Sequence, residues 1–326
     1  MVRAHTAALR LSPPNRTHLS SKSPGRGGIT GLYGADTTAT GRVGHHDSVR
    51  VMTWNLWWRF GDWQRRERAI VETIRSAEAD VVCLQEVWVD ADADADLATI
   101  IGAELGYHTL RNVSVGRGAV GFANAVLARW PIELIADEPL PRRDGSPGHR
   151  RVIAGGVASP WGRWPVASTH LDHRFDDSLT RQVQARRLLE LSAGWRGDPA
   201  TDLPVVIGAD LNAVPDSDEV RLLTGRRDGV EGIAMSDAWE QVGDGAGPTW
   251  RRENPHTIDS AWPNRRLDYV LVSWPRPNPV GNPRASWLLG AEPVGIDGVP
   301  VWASDHAAVV VDLATPSDSQ APVPER

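Results

Sequence analysis

Cysteine and lysine are nearly absent from this chain. Cys83 is the one cysteine among 326 residues, which excludes an intrachain disulfide and a zinc site built from cysteines. Lys22 is the one lysine; the other basic residues are arginines, a bias that genome composition explains at least as well as a preference for bidentate phosphate contacts. The formal net charge is −6, so the basic excess that suggests nucleic acid is also missing. This absence excludes no phosphate chemistry, because a bound metal can supply the positive charge that a phosphate requires.

Long apolar runs are missing as well. No stretch reaches the roughly 18 apolar residues of a membrane span. The apolar run between Arg3 and Arg10 is too short and too mixed for a signal peptide. We therefore expect no transmembrane segment, and we take a cytoplasmic monomer as the default. Hydrophobic residues still make up 41% of the chain, which is enough for a large core.

The composition changes near both ends of the chain. Residues 1–48 are rich in Ser, Thr, Pro, Gly and Arg and show no sustained periodicity, so they are either a disordered tail or sequence upstream of the true start. Residues 315–326 have the same character and predict a disordered C-terminal tail. No polar linker divides what lies between them. We therefore predict one folded domain at 49–314.

Strand-like and helix-like segments alternate along this domain. The predicted strands are Val49–Trp54, Asp80–Glu86, Thr109–Val115, Ala123–Arg129, Ile132–Asp137, Val152–Ser159, Arg163–His170, Pro204–Gly208, Leu267–Ser273 and His306–Leu313. The predicted helices are Trp63–Glu78, a segment from Leu97 to Leu105, Asp177–Gly194, Asp216–Thr224 and Met235–Val242. Helical crossovers and hairpins both occur, which predicts an α/β fold of two packed mixed sheets with outer helices, rather than a Rossmann fold or a barrel.

Polar residues stand at the ends of six of the predicted strands. They are Asn55, Glu86, His170, Asp210 with Asn212, Asp268, and Asp305 with His306. Taken singly, each has an ordinary explanation, since Asp and Asn after a strand are usually turn residues and a lone His is more often a satisfied core residue. Taken together, strand ends in a layered α/β protein line one edge of the core. The set therefore predicts a cleft over a rigid scaffold.

These residue types suit the hydrolysis of a phosphate ester. Carboxylate and amide oxygens are the ligands that Mg²⁺ prefers, and Glu86, Asn55 and Asp305 could supply them. An imidazole oriented by a carboxylate can act as a base, as His306 with Asp268 could. Asn212 and His170 could contact the phosphate.

Two further groups of residues have an open interpretation. The segment His149–Arg151 opens a strand and could bring Arg150 to a phosphate, but a solvated charge cluster fits as well. Trp57, Trp58 and Trp63 follow Asn55 and could form one wall of the cleft.

The polar residues stand in segments that resemble the endonuclease/exonuclease/phosphatase family, whose fold is that of DNase I. The matching segments are MTWNLW (52–57), CLQEV (83–87), NAVLARWPI (124–132), STHLD (168–172), VVIGADLNAVP (205–215), RRLDYVLVS (265–273) and SDHAAVVVDL (304–313). Each segment alone is weak evidence. Their occurrence in the family's order over the whole predicted domain is specific.

The resemblance implies a four-layered α/β/β/α sandwich with the active site at one edge of its two sheets, and Mg²⁺ or Mn²⁺ as cofactor. It places Asn55 and Glu86 at the metal with Asp305 nearby, and His170 and Asn212 at the phosphate. It makes Asp268 and His306 a hydrogen-bonded pair, and Asp210 the acid that activates the nucleophile or assists the leaving group. It leaves open which of Asp210 and His306 is the base.

Three functions follow from this resemblance. The first is hydrolysis of a phosphodiester by an endonuclease- or exonuclease-like enzyme, with a phosphate-ester substrate such as nucleic acid. The second is a phosphoesterase for a lipid headgroup or a small phosphorylated molecule, as in sphingomyelinases and inositol phosphatases. The third is a binding module without catalysis, which the complete set of polar residues disfavours. An arginine-lined groove would indicate the first, and an apolar loop for a membrane surface the second.

Overall fold

The computed structural model describes residues 48–112, 116 and 119–316. Residues 1–47 and 317–326, which make up most of the two predicted tails, lie outside the described residues, so the predicted division into tails and domain stays a prediction. The last three residues of the predicted strand Thr109–Val115 also lie outside them.

The described residues form strands and helices that alternate along the chain. The strands are β1 (Ser48–Asn55), β2 (Val81–Asp90), β3 (Ala95–Asp96), β4 (His108–Arg111), β5 (Val120–Ala128), β6 (Ile132–Pro141), β7 (Pro147–Ser159), β8 (Gly162–His170), β9 (Val206–Asp210), β10 (Ala234–Asp237), β11 (Asp268–Trp274), β12 (Pro283–Leu289), β13 (Val294–Ile296), β14 (Val299–Val301) and β15 (Ala308–Ala314). The helices are α1 (Trp63–Ala77), α2 (Leu97–Leu105), α3 (Ser178–Trp195), α4 (Asp218–Leu223) and α5 (Ala238–Val242).

Most strands belong to two mixed sheets. The first sheet has seven strands in the order β12-β15-β1-β2-β5-β4, with β3 on the far part of β2. The second has six strands in the order β10-β11-β9-β8-β7-β6. Each sheet contains one parallel pair at its centre, β1 with β2 and β8 with β9, and the other pairs are antiparallel. The central strands are apolar on both faces, because both faces of each sheet are covered.

Three apolar clusters define four layers. Helices α1 and α2 pack on the outer face of the seven-stranded sheet, and α3 and α4 pack on the outer face of the six-stranded sheet. The third cluster, with Val51, Val206 and Val270 among its members, fills the space between the sheets. This is the predicted α/β/β/α sandwich. Within the described part of the chain, no helix has the length and apolar character to cross a membrane.

The two sheets lie in close contact at Gly208 in β9. A Cβ atom there would lie 2.3 Å from Cβ of Cys83 and 2.9 Å from Cβ of Thr53, so a larger residue would push the sheets apart. Gln85, beside this contact, bridges the sheets. Its Nε2 donates to Thr53 Oγ1 in the first sheet and to Ser168 Oγ and the Gly208 carbonyl in the second, over 3.1–3.2 Å.

The structure corrects one predicted helix. The segment Met235–Val242 is helical only from Ala238, because its first residues form β10 and pair with β11 from Met235↔Ser273 to Asp237↔Leu271. Asp237 ends the strand and caps α5 by accepting from the Trp239 and Glu240 backbone N–H groups. The edge strand β12 and the short hairpin of β13 and β14 are additional to the predicted elements.

Candidate active site

Glu86 lies in a bulge in the middle of β2, not at the end of a strand as predicted. The pairing of β2 with β5 is interrupted between Leu84 and Val87, so Gln85 and Glu86 have no partners across the ladder. Glu86 has a φ of 53°, a left-handed conformation that is rare for a glutamate. The bulge turns its carboxylate towards a cavity, while Gln85 beside it bridges the sheets. Bulges and strained backbone are common next to active sites, where they redirect a side chain.

Asn55 and Asp305 lie on neighbouring segments that Ser304 holds together. Asn55 ends β1 and is buried, and its carbonyl accepts from Ser304 Oγ across 2.6 Å. The same hydroxyl accepts from the His306 backbone N–H across 3.2 Å. The carboxylate of Asp305 therefore extends from a segment tied to the end of β1. Both Asn55 and Asp305 line the same cavity as Glu86.

Arg66 holds the loop after β1 against the segment that carries Asp305. It projects from α1 and is buried, and burial lowers its pKa to about 10, so it remains charged at neutral pH. Its guanidinium donates to five carbonyls, those of Leu56, Trp57, Trp58, Phe60 and Ala303. Arginine fits here because its planar fork presents five donors in fixed directions. Arg66 could not be recognised from the sequence, because a charged residue in an amphipathic helix usually lies on the solvent face.

Asp268 and His306 form the predicted hydrogen-bonded pair. His306 Nδ1 donates to Asp268 Oδ2 across 2.7 Å, and both side chains are buried. Thr249 Oγ1 accepts from the Asp268 backbone N–H, and Trp54 Nε1 donates to the His306 carbonyl. Burial alone would lower the pKa of His306. The negative charges of Asp268, Asp305 and Asp210 outweigh burial and raise that pKa well above its ordinary value.

Asp210, Asn212 and His170 form a second hydrogen-bonded group. Asp210 ends β9; its Oδ2 accepts from Asn55 Nδ2 and its Oδ1 from the Asn212 backbone N–H, each across 2.9 Å. Asn212 has a φ of 49°, and its Nδ2 donates to His170 Nε2 across 2.8 Å. Burial would raise the pKa of Asp210, but the positive charge of His306 and these two hydrogen bonds lower it, so this carboxylate is ionised. Burial, with the charge of Arg150, lowers the pKa of His170 well below its ordinary value and keeps the ring neutral.

A cavity of about 470 Å³ joins these groups. Seven of the eight predicted residues line it, and the eighth, Asp268, is bonded to one of them, His306. Their roles stay predictions. Arg150, which the sequence left open, lines the cavity too, and so does Arg265. Within residues 48–112 and 119–316, neither guanidinium forms an ion pair, so both offer positive charge to a ligand. Arg265 stands three residues before Asp268 in a matching segment, and this was the one signal that could have identified it.

The residues around Glu86 fit a hard divalent cation. Glu86 Oε2 is a buried carboxylate oxygen that has no hydrogen-bond partner in the part of the chain that the structure describes. Burial, and then the charge of Asp305, raise the pKa of Glu86 to about 7. The unpartnered oxygen of Glu86 and the nearby carboxylate of Asp305 would both be stabilised by a bound cation. The donor set of Glu86, Asp305 and Asn55 consists of oxygen atoms, as Mg²⁺ and Mn²⁺ require.

A second possible metal site consists of Asp210, Asp268 and His306. One ligand atom from each lies within 4.8 Å of the others, and all three residues are buried. Asp268 Oδ1 has no hydrogen-bond partner among the described residues. Since Asp268 and His306 already bond to each other, a cation here would compete with that hydrogen bond.

The fold and the site together define a phosphoester hydrolase of the layered α/β class. The profile described as "Endonuclease/Exonuclease/phosphatase family" matches residues 52–306, and the chain belongs to that family. Its members are phosphoester hydrolases, so the predicted family, fold class and enzyme class are confirmed.

Known proteins resemble the chain at low sequence identity. Protein angel of Drosophila melanogaster is 24% identical over 229 residues, which make up 66% of this chain and 60% of the length of that protein. The crystal structure of D. rerio TDP2 complexed with single strand DNA product has a TM-score of 0.62 at 19% identity, and the match covers 81% of this chain and 98% of that one. The human Nocturnin catalytic domain with bound sulfate anion has a TM-score of 0.60 at 22% identity, covering 81% and 93%. An endonuclease/exonuclease/phosphatase from Beutenbergia cavernae has a TM-score of 0.62 at 25% identity, covering 82% and 72%.

Proposed function

We propose that this chain is a divalent-metal-dependent phosphodiesterase that acts on nucleic acid. One observation carries the proposal. A single cavity brings together an oxygen-only cation site, an ionised Asp210, a protonated His306 and two arginines that form no ion pair among the described residues. A non-catalytic module would have no reason to keep three carboxylates and an imidazolium buried together, because their burial destabilises the fold.

Glu86, Asp305 and Asn55 would hold the cation. When bound, it would neutralise phosphoryl oxygens and the negative charge of the two carboxylates. We place it there rather than between Asp210 and Asp268, because the Asp268 carboxylate already accepts from His306 and Asp210 already accepts two hydrogen bonds. The amide oxygen of Asn55 accepts one hydrogen bond, from the Trp57 backbone N–H, and has a lone pair left.

The remaining side chains would act on the phosphate and on water. Asp210, ionised and held by Asn55 and Asn212, is the group that can take a proton from the attacking water. His306, protonated and oriented by Asp268, is the group that can donate a hydrogen bond or a proton where negative charge develops. We therefore propose Asp210, rather than His306, as the base. Arg150 would contact the phosphate from the end of the cavity formed by β7.

Nucleic acid is favoured over the other substrates by charge. Arg150 and Arg265 add positive charge to the cavity of a chain whose net charge is −6, which supports nucleic acid as the substrate. The similar structure of D. rerio TDP2 holds a single strand DNA product, which supports the same class. A lipid headgroup or a small phosphorylated molecule is the alternative that the experiment must separate.

The test is hydrolysis of four substrates by purified protein with Mg²⁺ or with EDTA. The substrates are a single-stranded oligonucleotide, bis-p-nitrophenyl phosphate, p-nitrophenyl phosphate and sphingomyelin. We expect EDTA-sensitive cleavage of the two phosphodiesters that contain no lipid, and a loss of about 100-fold or more in Glu86→Gln. The matched control Glu133→Gln changes an exposed glutamate of β6 and should leave the rate unchanged.

Several outcomes would contradict the proposal. Preference for the monoester or for sphingomyelin would support the alternative substrate class. Cleavage that EDTA does not affect would contradict metal dependence. If no substrate is turned over and calorimetric titration with Mg²⁺ shows no binding, the chain would be a binding module.

A further inference from the structure

An aromatic cluster on the seven-stranded sheet borders the cavity; we call it the first wall, made of Trp58, Phe60 and Phe122. The rings of Trp58 and Phe122 stack with centroids 4.5 Å apart and 14° between their planes, and Phe60 lies 5.3 Å from Trp58. Trp58 Nε1 donates to the Gly121 carbonyl across 2.9 Å, which fixes the stack. Phe60 and Phe122 line the cavity and keep 43% and 36% of their surface exposed. Trp57, Trp58 and Trp63, which the sequence suggested as a possible wall, are not among the residues that line the cavity. Trp58 packs against Phe60 and Phe122, which are.

A second cluster lies in loops that adjoin the six-stranded sheet; we call it the second wall, made of Phe175 and Trp262. Phe175 follows β8 and Trp262 precedes β11, and their rings stack with centroids 4.6 Å apart and 26° between the planes. They are 54% and 44% exposed. The Arg265 guanidinium lies 4.9 Å from the Phe175 ring and 5.3 Å from the Trp262 ring, so it adds a cation to this wall. Phe175 and Arg265 line the same cavity as the first wall.

The two walls adjoin different sheets, and the candidate catalytic residues lie at the edge that these sheets share. Contiguous patches of exposed apolar surface, unlike scattered single residues, mark interaction sites or ligand-binding grooves. Here both sets of rings border a cavity that is also lined by two arginines without an ion pair among the described residues, and each wall contains a stacked pair whose rings are partly exposed. Planar groups of a substrate, one on each side of its phosphate, could stack on the ring pairs of the two walls. Nucleobases are such groups, and base–aromatic stacking tolerates any sequence.

On the basis of the proposed function, we propose that the two walls each stack one unpaired nucleobase, on opposite sides of the scissile phosphate. The substrate is then a single strand or a single-stranded end, since bases paired in a duplex do not expose their faces to a side wall. An aliphatic lipid chain lacks the planar face that would continue a stack. The walls, rather than contacts to base edges, would determine specificity, so cleavage should depend on the presence of bases and little on their identity.

The test removes a base and a ring in the same experiment. A single-stranded pentanucleotide with one cleavable phosphodiester is prepared intact, with an abasic site on the 5′ side of that bond, and with an abasic site on the 3′ side. For the unmodified protein we expect each abasic site to lower kcat/KM by about tenfold, the effect of losing one moderate base–aromatic stack. Phe122→Leu should abolish the penalty on one side of the phosphate and Phe175→Leu on the other. Phe122→Tyr keeps a ring and should keep the penalty.

The matched control is Leu134→Ala, which removes an exposed apolar side chain of β6 that lies away from the cavity. It should keep both abasic penalties. Binding of a labelled pentanucleotide in EDTA, measured by anisotropy, provides a readout that does not depend on turnover. We expect Phe122→Leu and Phe175→Leu each to weaken this binding by about tenfold.

The outcomes separate this inference from the proposed function. If the protein cleaves bis-p-nitrophenyl phosphate but shows no abasic penalty, the proposed function stands and the walls do not bind bases. If both leucine variants keep both abasic penalties and bind the labelled pentanucleotide as tightly as the unmodified protein, the inference is wrong. If they lower turnover of sphingomyelin vesicles instead, the walls contact lipid. If no substrate is cleaved, the proposed function fails, and the anisotropy measurement alone decides the inference.

Discussion

Replacing Glu86 with glutamine should stabilise the metal-free protein while it removes activity. Glu86 sits in a strained bulge with an unpaired carboxylate oxygen. Burial, followed by the charges of Asp305 and Asp210, raises its pKa from the ordinary 4.5 to about 7, although His306 acts in the opposite direction. The folded protein without metal therefore resists ionisation of this side chain. Glutamine keeps the shape and removes the charge.

The magnitude and the pH window follow from these two pKa values. Below pH 4.5 the carboxyl is protonated in both the folded and the unfolded chain and contributes nothing. Between pH 4.5 and about 7 the unfolded chain ionises first, so the free energy of unfolding falls as the pH rises. Above pH 7 the full effect is present. The gap between 4.5 and about 7, at about 1.4 kcal/mol per pKa unit, corresponds to about 3 kcal/mol.

The assay is urea unfolding in EDTA at pH 5 and at pH 8, with Glu133→Gln as the control. We expect the free energy of unfolding of Glu86→Gln to exceed that of the unmodified protein by about 3 kcal/mol at pH 8 and by less than about 1 kcal/mol at pH 5. Added Mg²⁺ should raise the stability of the unmodified protein at pH 8 and leave that of the variant unchanged. The reasoning would be refuted if the variant were no more stable than the unmodified protein at pH 8. It would also be refuted if the difference in the free energy of unfolding were the same at both pH values.

Two other substitutions test the groups that act on and around the site. Asp268→Asn removes one of the charges that raise the pKa of His306, and the pKa of His306 should therefore fall. The alkaline limb of the pH–rate profile should move to lower pH, and the rate should drop by about 100-fold or more. An unchanged profile would show that the pair plays no part in catalysis. Arg66→Met leaves the carbonyls of the loop Leu56–Phe60 and of Ala303 without their donor, and should lower the free energy of unfolding by about 3 kcal/mol or more, as measured with urea. Arg66→Lys should restore less than half of that loss, and full recovery would mean that the charge matters rather than the fork of donors.

Much of the fold was predictable because it depends on local patterns. The apolar runs of the central strands, the periodicity of α1 and the glycine that ends α2 each indicate their element without reference to the rest of the chain. The segment Met235–Val242 shows where local patterns are insufficient. Its first residues became a strand because β11 was available to pair with them, and that partner lies more than thirty residues away in the sequence.

The sequence by itself determined which residues could form the site, because strand ends in a layered α/β fold converge and the ordered segments match one family. Only the tertiary structure decided how those residues act. The bulge that directs Glu86, the five carbonyls that Arg66 holds together, and the stacked rings on the two sheets each join segments distant in the chain. The protonation of His306 and the ionisation of Asp210 likewise depend on charges brought together by folding, because electrostatic interactions act across space and not along the sequence.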